Sequence, residues 1–205
     1  MSFYTALTGL NGSQADISAT SNNIANVATT GYKRSRAEFG DIFATSPLQN
    51  SSSSIGSGTI LKGIKQQFTQ GNIASSLNAL DLAIDGSGFF QILNPDGRLS
   101  YTRAGVFGKN AEGLLTTPSG FVLQPEIEIP EGVTSINVSA DGIVSVQVPG
   151  EVEAEEVGQL QLADFANPTG LQPIGQNLLL ESPASGPPIV ENPFTNGFGK
   201  LVQGA

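Results

Sequence analysis

Cysteine, histidine and tryptophan are absent from this 205-residue chain. Their absence excludes disulfides, thiolate nucleophiles, thiolate or imidazole metal ligands, and the side chain that most often serves as a general base near neutral pH. The sequence also lacks a Gly-x-Ser-x-Gly nucleophile elbow, a phosphate-binding loop and a Gly-x-Gly-x-x-Gly fingerprint. We therefore expect no catalytic residues, no metal and no cofactor, and we predict that the protein is not an enzyme.

Long apolar runs and excess basic charge are lacking as well. No apolar stretch approaches the roughly 18 residues that a membrane-spanning helix requires, so no integral membrane span is expected. The first basic residue is Lys33, so no charged region precedes an apolar block as it does in a cleavable secretory signal. The net charge of −9 is expected to repel nucleic acid and anionic membranes.

Acidic charge is concentrated in the second half of the chain. Residues 1–109 carry eight basic and six acidic groups, whereas residues 110–205 carry Lys200 against twelve acids. The pair Glu126 and Glu128, and the acidic run from Glu151 to Glu156, have the density of a carboxylate active site. Nothing in their sequence context would bury them, so a solvated strand face or an acidic patch that attracts calcium is the favoured interpretation.

The first thirty residues carry the period of an α-helix. Apolar residues recur along one stripe, here called the apolar seam, which consists of Phe3, Leu7, Leu10, Ile17 and Ile24. The spacing predicts an amphipathic helix that ends before Gly31, a residue suited to the positive φ of a helix terminus. Asp16 is the only charged residue in positions 1–32.

Two explanations of this helix stay open. Its many Ala, Ser, Thr, Asn and Gly residues have weak helix propensity, and a narrow apolar stripe adds little stability in water. A partner helix would supply the missing stability, and the small side chains would allow a close approach. Docking on the core of the same chain is the simpler alternative.

Positions 33–60 differ in composition from the segments on either side. Charged residues are frequent from Lys33 to Asp41, and Ser, Asn and Gly dominate from Ser46 to Gly58, including the run Ser51 to Ser54. This composition predicts a loop or flexible linker.

From about residue 59 onwards the pattern is typical of short strands separated by turn dipeptides. The clearest hairpin has Asp141-Gly142 at its turn, and the Pro-rich positions 183–193 indicate an irregular surface segment. The strands that the pattern indicates best are Asp81–Ile84, Phe89–Leu93, Leu99–Arg103, Gly120–Leu123, Ser135–Ser139, Ile143–Val148 and Gln159–Phe165.

These patterns predict a mainly β protein, in which an antiparallel β-sandwich or barrel-like body follows an N-terminal amphipathic α-helix and a flexible linker. The predicted divisions are an assembly helix at 1–32, a linker and extended segment at 33–70, and a β-rich body at 71–205. A weakly stabilised helix joined to a stable body is typical of a self-assembling subunit. A secreted β-sandwich adhesin or glycan-binding module is a second interpretation, since it would also explain the acidic, cysteine-free body.

Two motifs carry a resemblance to a known family. The first consists of Asn22, Asn23, Ile24, Ala25, Asn26, Thr30, Gly31, Tyr32 and Lys33. The second, in the predicted β-rich body, consists of Asp81, Ala83, Ile84, Gly86, Gly88, Phe89 and Phe90. Both resemble signatures shared by the axial proteins of the bacterial flagellum, the rod and hook subunits, and the likeness continues through Tyr101-Thr102-Arg103 to Leu201–Ala205.

The choice within this family rests on smaller features. The opening Met1-Ser2-Phe3 and the segments Lys62–Gly71 and Ala163–Asn167 are more similar to the hook protein, and the stretch between Phe39 and Gly71 is short for the extra loop of distal rod proteins. The compact body resembles the distal rod protein instead. We therefore expect a subunit of the tubular hook, the torque-transmitting flexible joint, with a distal rod subunit of the basal body as the alternative.

The resemblance implies a structural role in motility. The implied partners are copies of the chain in a helical tube, neighbouring hook, rod and junction proteins, the hook cap and the flagellar export apparatus. The implied location is the flagellum, reached without a cleaved signal. Family members also end in a second seam-bearing helix that pairs with the first, and this sequence stops at Gly204-Ala205, where that helix would begin.

Overall fold

A computed structural model describes residues 2–43, 56–150 and 153–205. The chain forms two compact units, each built from two segments. The helix–hairpin unit comprises Met1–Thr29 and Lys33–Thr69, and the β-rich unit comprises Thr30–Tyr32 and Gln70–Ala205. The chain therefore enters the β-rich unit briefly at residues 30–32 before it returns to complete the first unit.

In its described residues, the helix–hairpin unit contains one helix and one antiparallel strand pair, namely α1 (Ser2–Ala25), β1 (Ser35–Phe43) and β2 (Gly56–Gln66). The predicted N-terminal helix is confirmed. It ends at Ala25, where the side chain of Asn26 donates to the backbone oxygen of Asn22 at 2.9 Å. Gly31 has the expected positive φ, 73°, but it lies beyond this terminus and belongs to the other unit.

The prediction of a flexible linker is wrong for the described parts of residues 33–60. Residues 35–43 and 56–66 are paired strands, with Ser35 opposite Gln66 and Ala37 opposite Ile64. Their charged residues gave the impression of a loop, but charged side chains are also found on exposed strands, where Lys65 and Glu38 form an ion pair of 2.8 Å. The run Ser51 to Ser54 lies outside the described residues.

The β-rich unit contains antiparallel strand pairs in three sheets, which confirms the mainly β, antiparallel fold class. Its strands are β3 (Leu82–Asp85), β4 (Phe89–Leu93), β5 (Leu99–Thr102), β6 (Gly108–Lys109), β7 (Leu115–Thr116), β8 (Val122–Gln124), β9 (Ser135–Val138), β10 (Ile143–Gln147), β11 (Glu155–Gln159), β12 (Leu162–Asp164), β13 (Gln172–Gly175), β14 (Leu178–Leu180), β15 (Ile189–Glu191) and β16 (Lys200–Gln203). A short 3-10 helix covers Pro168–Gly170.

The largest sheet has nine strands. Seven of them follow the order β13-β14-β5-β4-β8-β7-β6, and β12 joins this sheet by pairing with both β4 and β15. A second sheet has the order β11-β10-β9, and a third pairs β16 with β3. The last pairing brings the C-terminal strand against the first strand after residue 70, with Leu201 opposite Ile84.

The Asp141-Gly142 hairpin is confirmed, because the Ser139 amide donates to the Ile143 oxygen at 2.9 Å and β9 pairs with β10. The predicted single strand Gln159–Phe165 is wrong, since it is divided between β11 and β12 in different sheets. Between them, the Leu160 amide donates to the Gly142 oxygen at 2.8 Å instead of continuing a ladder. The predicted irregular segment 183–193 also contains a strand, β15, which begins directly after Pro187-Pro188 and ends before Pro193.

The core of the β-rich unit is aliphatic with a few aromatic side chains. Phe89 and Phe90, adjacent on β4, are both fully buried. Phe90 meets Phe107 edge to face with ring centroids 5.1 Å apart, and Tyr101 meets Phe165 in the same way at 4.8 Å. Aromatic pairs in this geometry add stabilisation beyond their buried area, so β4 lies at the centre of a well-packed body.

Candidate assembly surface

The helix α1 packs on the hairpin through small side chains. The residues of its inner face are buried or half-buried, and they recur at helical spacing: Thr5, Thr8, Gly12, Ala15, Ala19 and Asn23. A Cβ atom on Gly12 would lie 3.4 Å from both the Phe39 ring and the Thr59 methyl group. Because the backbone approaches the strands this closely, the inner face has no room for large apolar residues.

Polar contacts fix this packing at both ends of the helix. The Asn23 side chain donates to the Ser35 oxygen at 2.8 Å and accepts from the Ser35 amide at 2.8 Å. Nearer the N-terminus, the Thr59 amide donates to the Thr8 hydroxyl at 3.4 Å. The helix is therefore held by specific hydrogen bonds as well as by contact, and its rotation about its own axis is defined.

The apolar seam faces away from the hairpin. Its members are exposed to 81% at Phe3, 42% at Leu7, 67% at Leu10, 66% at Ile17 and 68% at Ile24. Tyr4 and Val27 are exposed as well. Docking on the same chain, one of the two explanations that the sequence left open, therefore explains the face of small residues. It does not explain the apolar seam, which stays exposed. Large apolar side chains therefore lie exposed along the face of the helix opposite the hairpin.

The hairpin adds apolar surface that the sequence interpretation missed. Phe39, Ile60, Leu61 and Ile64 are each at least 41% exposed. The β-rich pattern expected from about residue 59 onwards agrees with the second strand of the hairpin, whereas no strand was predicted around Phe39, where charged residues are frequent. The exposed apolar surface of this unit thus includes the strands as well as the helix.

Charge on the helix–hairpin unit is placed on its strands and connections. Five basic residues, Lys33, Arg34, Arg36, Lys62 and Lys65, stand against Asp16, Glu38 and Asp41. Within the helix, Asp16 alone is charged. The seam can therefore be buried by a partner without the large cost of removing ionised groups from water.

The residues of the first motif divide between the two units. Asn22, Ile24 and Ala25 are exposed on the helix, whereas Asn23 binds Ser35 and Asn26 binds Asn22. Lys33 donates to the Thr69 oxygen at 2.9 Å within the same unit. In contrast, Thr30, Gly31 and Tyr32 belong to the β-rich unit. The motif therefore does not form one site.

The second motif builds the core and the turns of the β-rich unit. Ile84, Phe89 and Phe90 are buried, and Ala83 pairs with Val202. Asp81 accepts a hydrogen bond from the Asn78 side chain at 2.8 Å. Gly86 and Gly88 have φ values of 121° and 123°, which favour glycine. These roles explain the residues structurally.

Three ionisable groups of the β-rich unit have shifted pKa values. Burial and the nearby Glu181 raise the pKa of Tyr101, whereas burial lowers the pKa of Arg103 and Asp164 partly opposes that effect. Hydrogen bonding to Arg98 lowers the pKa of Asp96 in an exposed turn. Across residues 2–43, 56–150 and 153–205, no three carboxylates lie close enough together to hold a metal ion.

No described helix is both long enough and apolar enough to cross a membrane.

Comparison with known families places both units. Residues 3–33 match the family model "Flagella basal body rod protein", and residues 83–146 match "Flagellar hook protein FlgE/F/G D1 domain". The flagellar basal-body rod protein FlgG of Buchnera aphidicola subsp. Acyrthosiphon pisum is 42% identical, over 99% of this chain and 82% of the relative. The chain belongs to the axial protein family of the bacterial flagellum.

Other relatives refine this membership. FlgG of Agrobacterium fabrum is 39% identical over 97% of the chain and 80% of its own length. The flagellar hook protein FlgE of Rhizobium meliloti is 34% identical, but the match covers 69% of the chain and 37% of that relative. The predicted resemblance is thus confirmed, and this axial protein is a structural component of the flagellum.

Proposed function

We propose that this axial protein is a rod subunit of the flagellar basal body, which was the alternative to the hook assignment expected from its sequence. The rod relatives are matched along about four fifths of their length, as in the 82% covered in the Buchnera protein. The hook relative is matched along 37%, so most of its sequence has no counterpart here. A compact β-rich unit without large inserted domains suits the rod.

The observation that carries an assembly role is the exposed apolar seam. Fully burying a Leu, Ile or Phe side chain stabilises an association by about 1.5–3 kcal/mol, and five such residues lie along one helix. The helix already contacts its own hairpin by the opposite face, so a second copy of the chain can cover the seam without displacing intramolecular packing. Repeated contacts of this heterologous kind, when they do not close, generate a tube.

The remaining partners follow from this proposal. A rod subunit meets copies of itself along the tube, and at the ends of its segment it meets other rod, hook and junction proteins. Passage through the flagellar export apparatus would deliver it to its location. These assignments rest on family membership together with the seam, and not on a binding site described in the chain.

Immunogold electron microscopy of isolated hook–basal bodies tests the rod assignment. An antibody raised against the β-rich unit should label the straight section beneath the hook, and a strain lacking the gene provides the control for specificity. Label along the curved segment would replace the rod assignment with the hook assignment. Absence of label from both sections, with an antibody that binds the purified protein, would reject the rod assignment and the hook assignment alike.

A further inference from the structure

The chain crosses between the two units at residues 29/30, 32/33 and 69/70. Residues 30–32 and 70, which lie at these crossings, belong to the β-rich unit. We propose that the turn Thr102–Ala104, which begins at the last residue of β5, is a clamp that holds both connecting segments to the β-rich unit. The proposal concerns contacts within this unit alone.

The first connection is held by a chain of hydrogen bonds. The Asn177 side chain donates to the backbone oxygen of Thr30 at 2.9 Å, and the backbone oxygen of Asn177 accepts from the Thr102 hydroxyl at 2.8 Å. The Thr102 hydroxyl also accepts from the Ala104 amide at 3.1 Å. Asn177 has a φ of 58°, a conformation that Asn tolerates better than most residues. Thr30 is therefore tied to the turn through a single asparagine.

Gly31 brings the same connection into direct contact with the turn. A Cβ atom at this position would lie 2.5 Å from the Ala104 nitrogen and 2.9 Å from the Arg103 carbonyl carbon. These atoms are backbone, so they cannot move aside as a flexible side chain would. Its φ of 73° independently favours glycine. The glycine of the first motif thus permits the backbone of residue 31 to lie against the turn.

The second connection reaches the turn through Gln70. The Gln70 side chain donates to the Ile84 oxygen at 3.1 Å and accepts from Arg103 Nη1 at 3.3 Å. The same Nη1 donates to the Gly86 oxygen at 2.8 Å, and the guanidinium carbon lies 4.9 Å from the centre of the Phe89 ring. The planar guanidinium of Arg103 therefore fastens residue 70 to the turn.

The first connection and residue 70 are attached separately to the same turn, Thr102–Ala104, so the turn restricts both connections. A free linker would allow the segments near residues 30 and 70 to pivot, whereas a clamp at Thr102–Ala104 fixes where each leaves the β-rich unit. In the proposed rod function, a clamp of this kind would contribute to stiffness. The contacts themselves do not depend on that function.

Amide hydrogen exchange of the full-length monomer by NMR tests the clamp. The variant Asn177→Asp keeps the size of the side chain and tolerates its φ, but a carboxylate cannot donate to the Thr30 oxygen. We expect exchange at amides 30–34 to accelerate by about tenfold, the effect of losing one hydrogen bond. The matched control, Gln176→Glu, adds the same charge at the adjacent exposed residue and should leave these amides unchanged.

The second connection has its own test. Gln70→Ala should accelerate exchange at amides 69–72, whereas Gln70→Glu retains an acceptor for Arg103 and should have a smaller effect. Amides of β10, in the core of the unit, serve as the reference. Unchanged exchange at residues 30–34 in Asn177→Asp, or an equal acceleration in β10, would overturn the clamp. Because the measurement uses the monomer, its outcome is independent of the rod assignment.

Discussion

The helix–hairpin unit and the β-rich unit place their apolar side chains in opposite environments. Phe3 and Ile17 on the helix are 81% and 66% exposed, whereas Phe89 and Phe90 on β4 are 0% exposed. The inner face of the helix relies on glycine, alanine and hydrogen bonds, while the core of the β-rich unit relies on aromatic and aliphatic packing. One unit therefore leaves large apolar side chains exposed, whereas the other buries its own.

The two units also differ in the sign of their net charge. The β-rich unit carries fifteen acidic residues against Arg98, Arg103, Lys109 and Lys200. The helix–hairpin unit carries five basic residues against three acidic ones. Since acidic surface favours solubility, the β-rich unit suits a solvent-facing position. We therefore expect the two units to respond differently to mutation.

The largest expected effect comes from placing a charge in the apolar seam. Leu10→Asp or Ile17→Asp should abolish polymerisation, because burying an unpaired carboxylate at a helix interface costs several kcal/mol. The β-rich unit should stay folded, as seen by circular dichroism, while electron microscopy shows no tubes. Ser18→Asp places the same charge at an exposed position beside Ile17 and should assemble. Normal tubes from either seam variant would remove the seam from the proposed function.

In the monomer, removing a core side chain of the β-rich unit should cost more stability than removing a seam side chain of the helix. Phe90→Ala removes a fully buried ring from β4 and should lower the free energy of unfolding by about 3–5 kcal/mol. Phe3→Ala removes a ring of the same size that is exposed, and should change it by less than about 0.5 kcal/mol. Urea denaturation measures both values. Equal losses would mean that the helix is buried in the free monomer.

An intermediate effect is expected where the first connection contacts the β-rich unit. Gly31→Ala should cost at least about 2 kcal/mol, since it combines backbone strain with a clash. Gly97→Ala provides the matched control, because Gly97 has a φ of 78° but nothing lies within 4 Å of its added Cβ. The control should cost about 1 kcal/mol from strain alone. Equal costs in thermal denaturation would contradict a close contact at Gly31.

The smallest effect concerns a surface ion pair in the β-rich unit. Arg98 lowers the pKa of Asp96 mainly through a side-chain hydrogen bond of 2.7 Å. The lowered pKa means that this contribution to stability is present above the unfolded-state pKa and is lost as the pH falls through the folded-state pKa. Arg98→Ala should return the pKa of Asp96 towards its ordinary value in a carboxyl NMR titration. An unchanged titration curve would show that the pair does not persist in solution.

The sequence was sufficient for features that depend on local patterns. The seam spacing from Phe3 to Ile24 predicted the helix, and Asp141-Gly142 predicted the hairpin of β9 and β10. In both cases neighbouring residues alone determine the element, through helical periodicity or turn geometry. The motifs were sufficient for the family as well, because they are long and specific.

Features that depend on distant residues were missed. The helix face that docks is decided by Phe39 and Thr59, which lie far along the chain from Gly12. Likewise, the residues next to Gln159 and Leu160 give no signal that the strand ends there. It ends where the Leu160 amide donates to the oxygen of Gly142, a residue distant in sequence. The expectation of a hook subunit rested on short segments of sequence. The rod relative, however, is matched over 82% of its length and the hook relative over 37%.

The reciprocal bonds between Asn23 and Ser35 have a consequence for insertions and deletions. Each residue of an α-helix advances the side chains by about 100°, because one turn contains 3.6 residues. With Asn23 fixed, one residue added between Ala19 and Asn23 would turn every earlier side chain by that angle, so the seam would no longer face outward along its whole length. Seven added residues would nearly restore the direction. We expect length variation in this helix among relatives to occur in such whole-repeat steps.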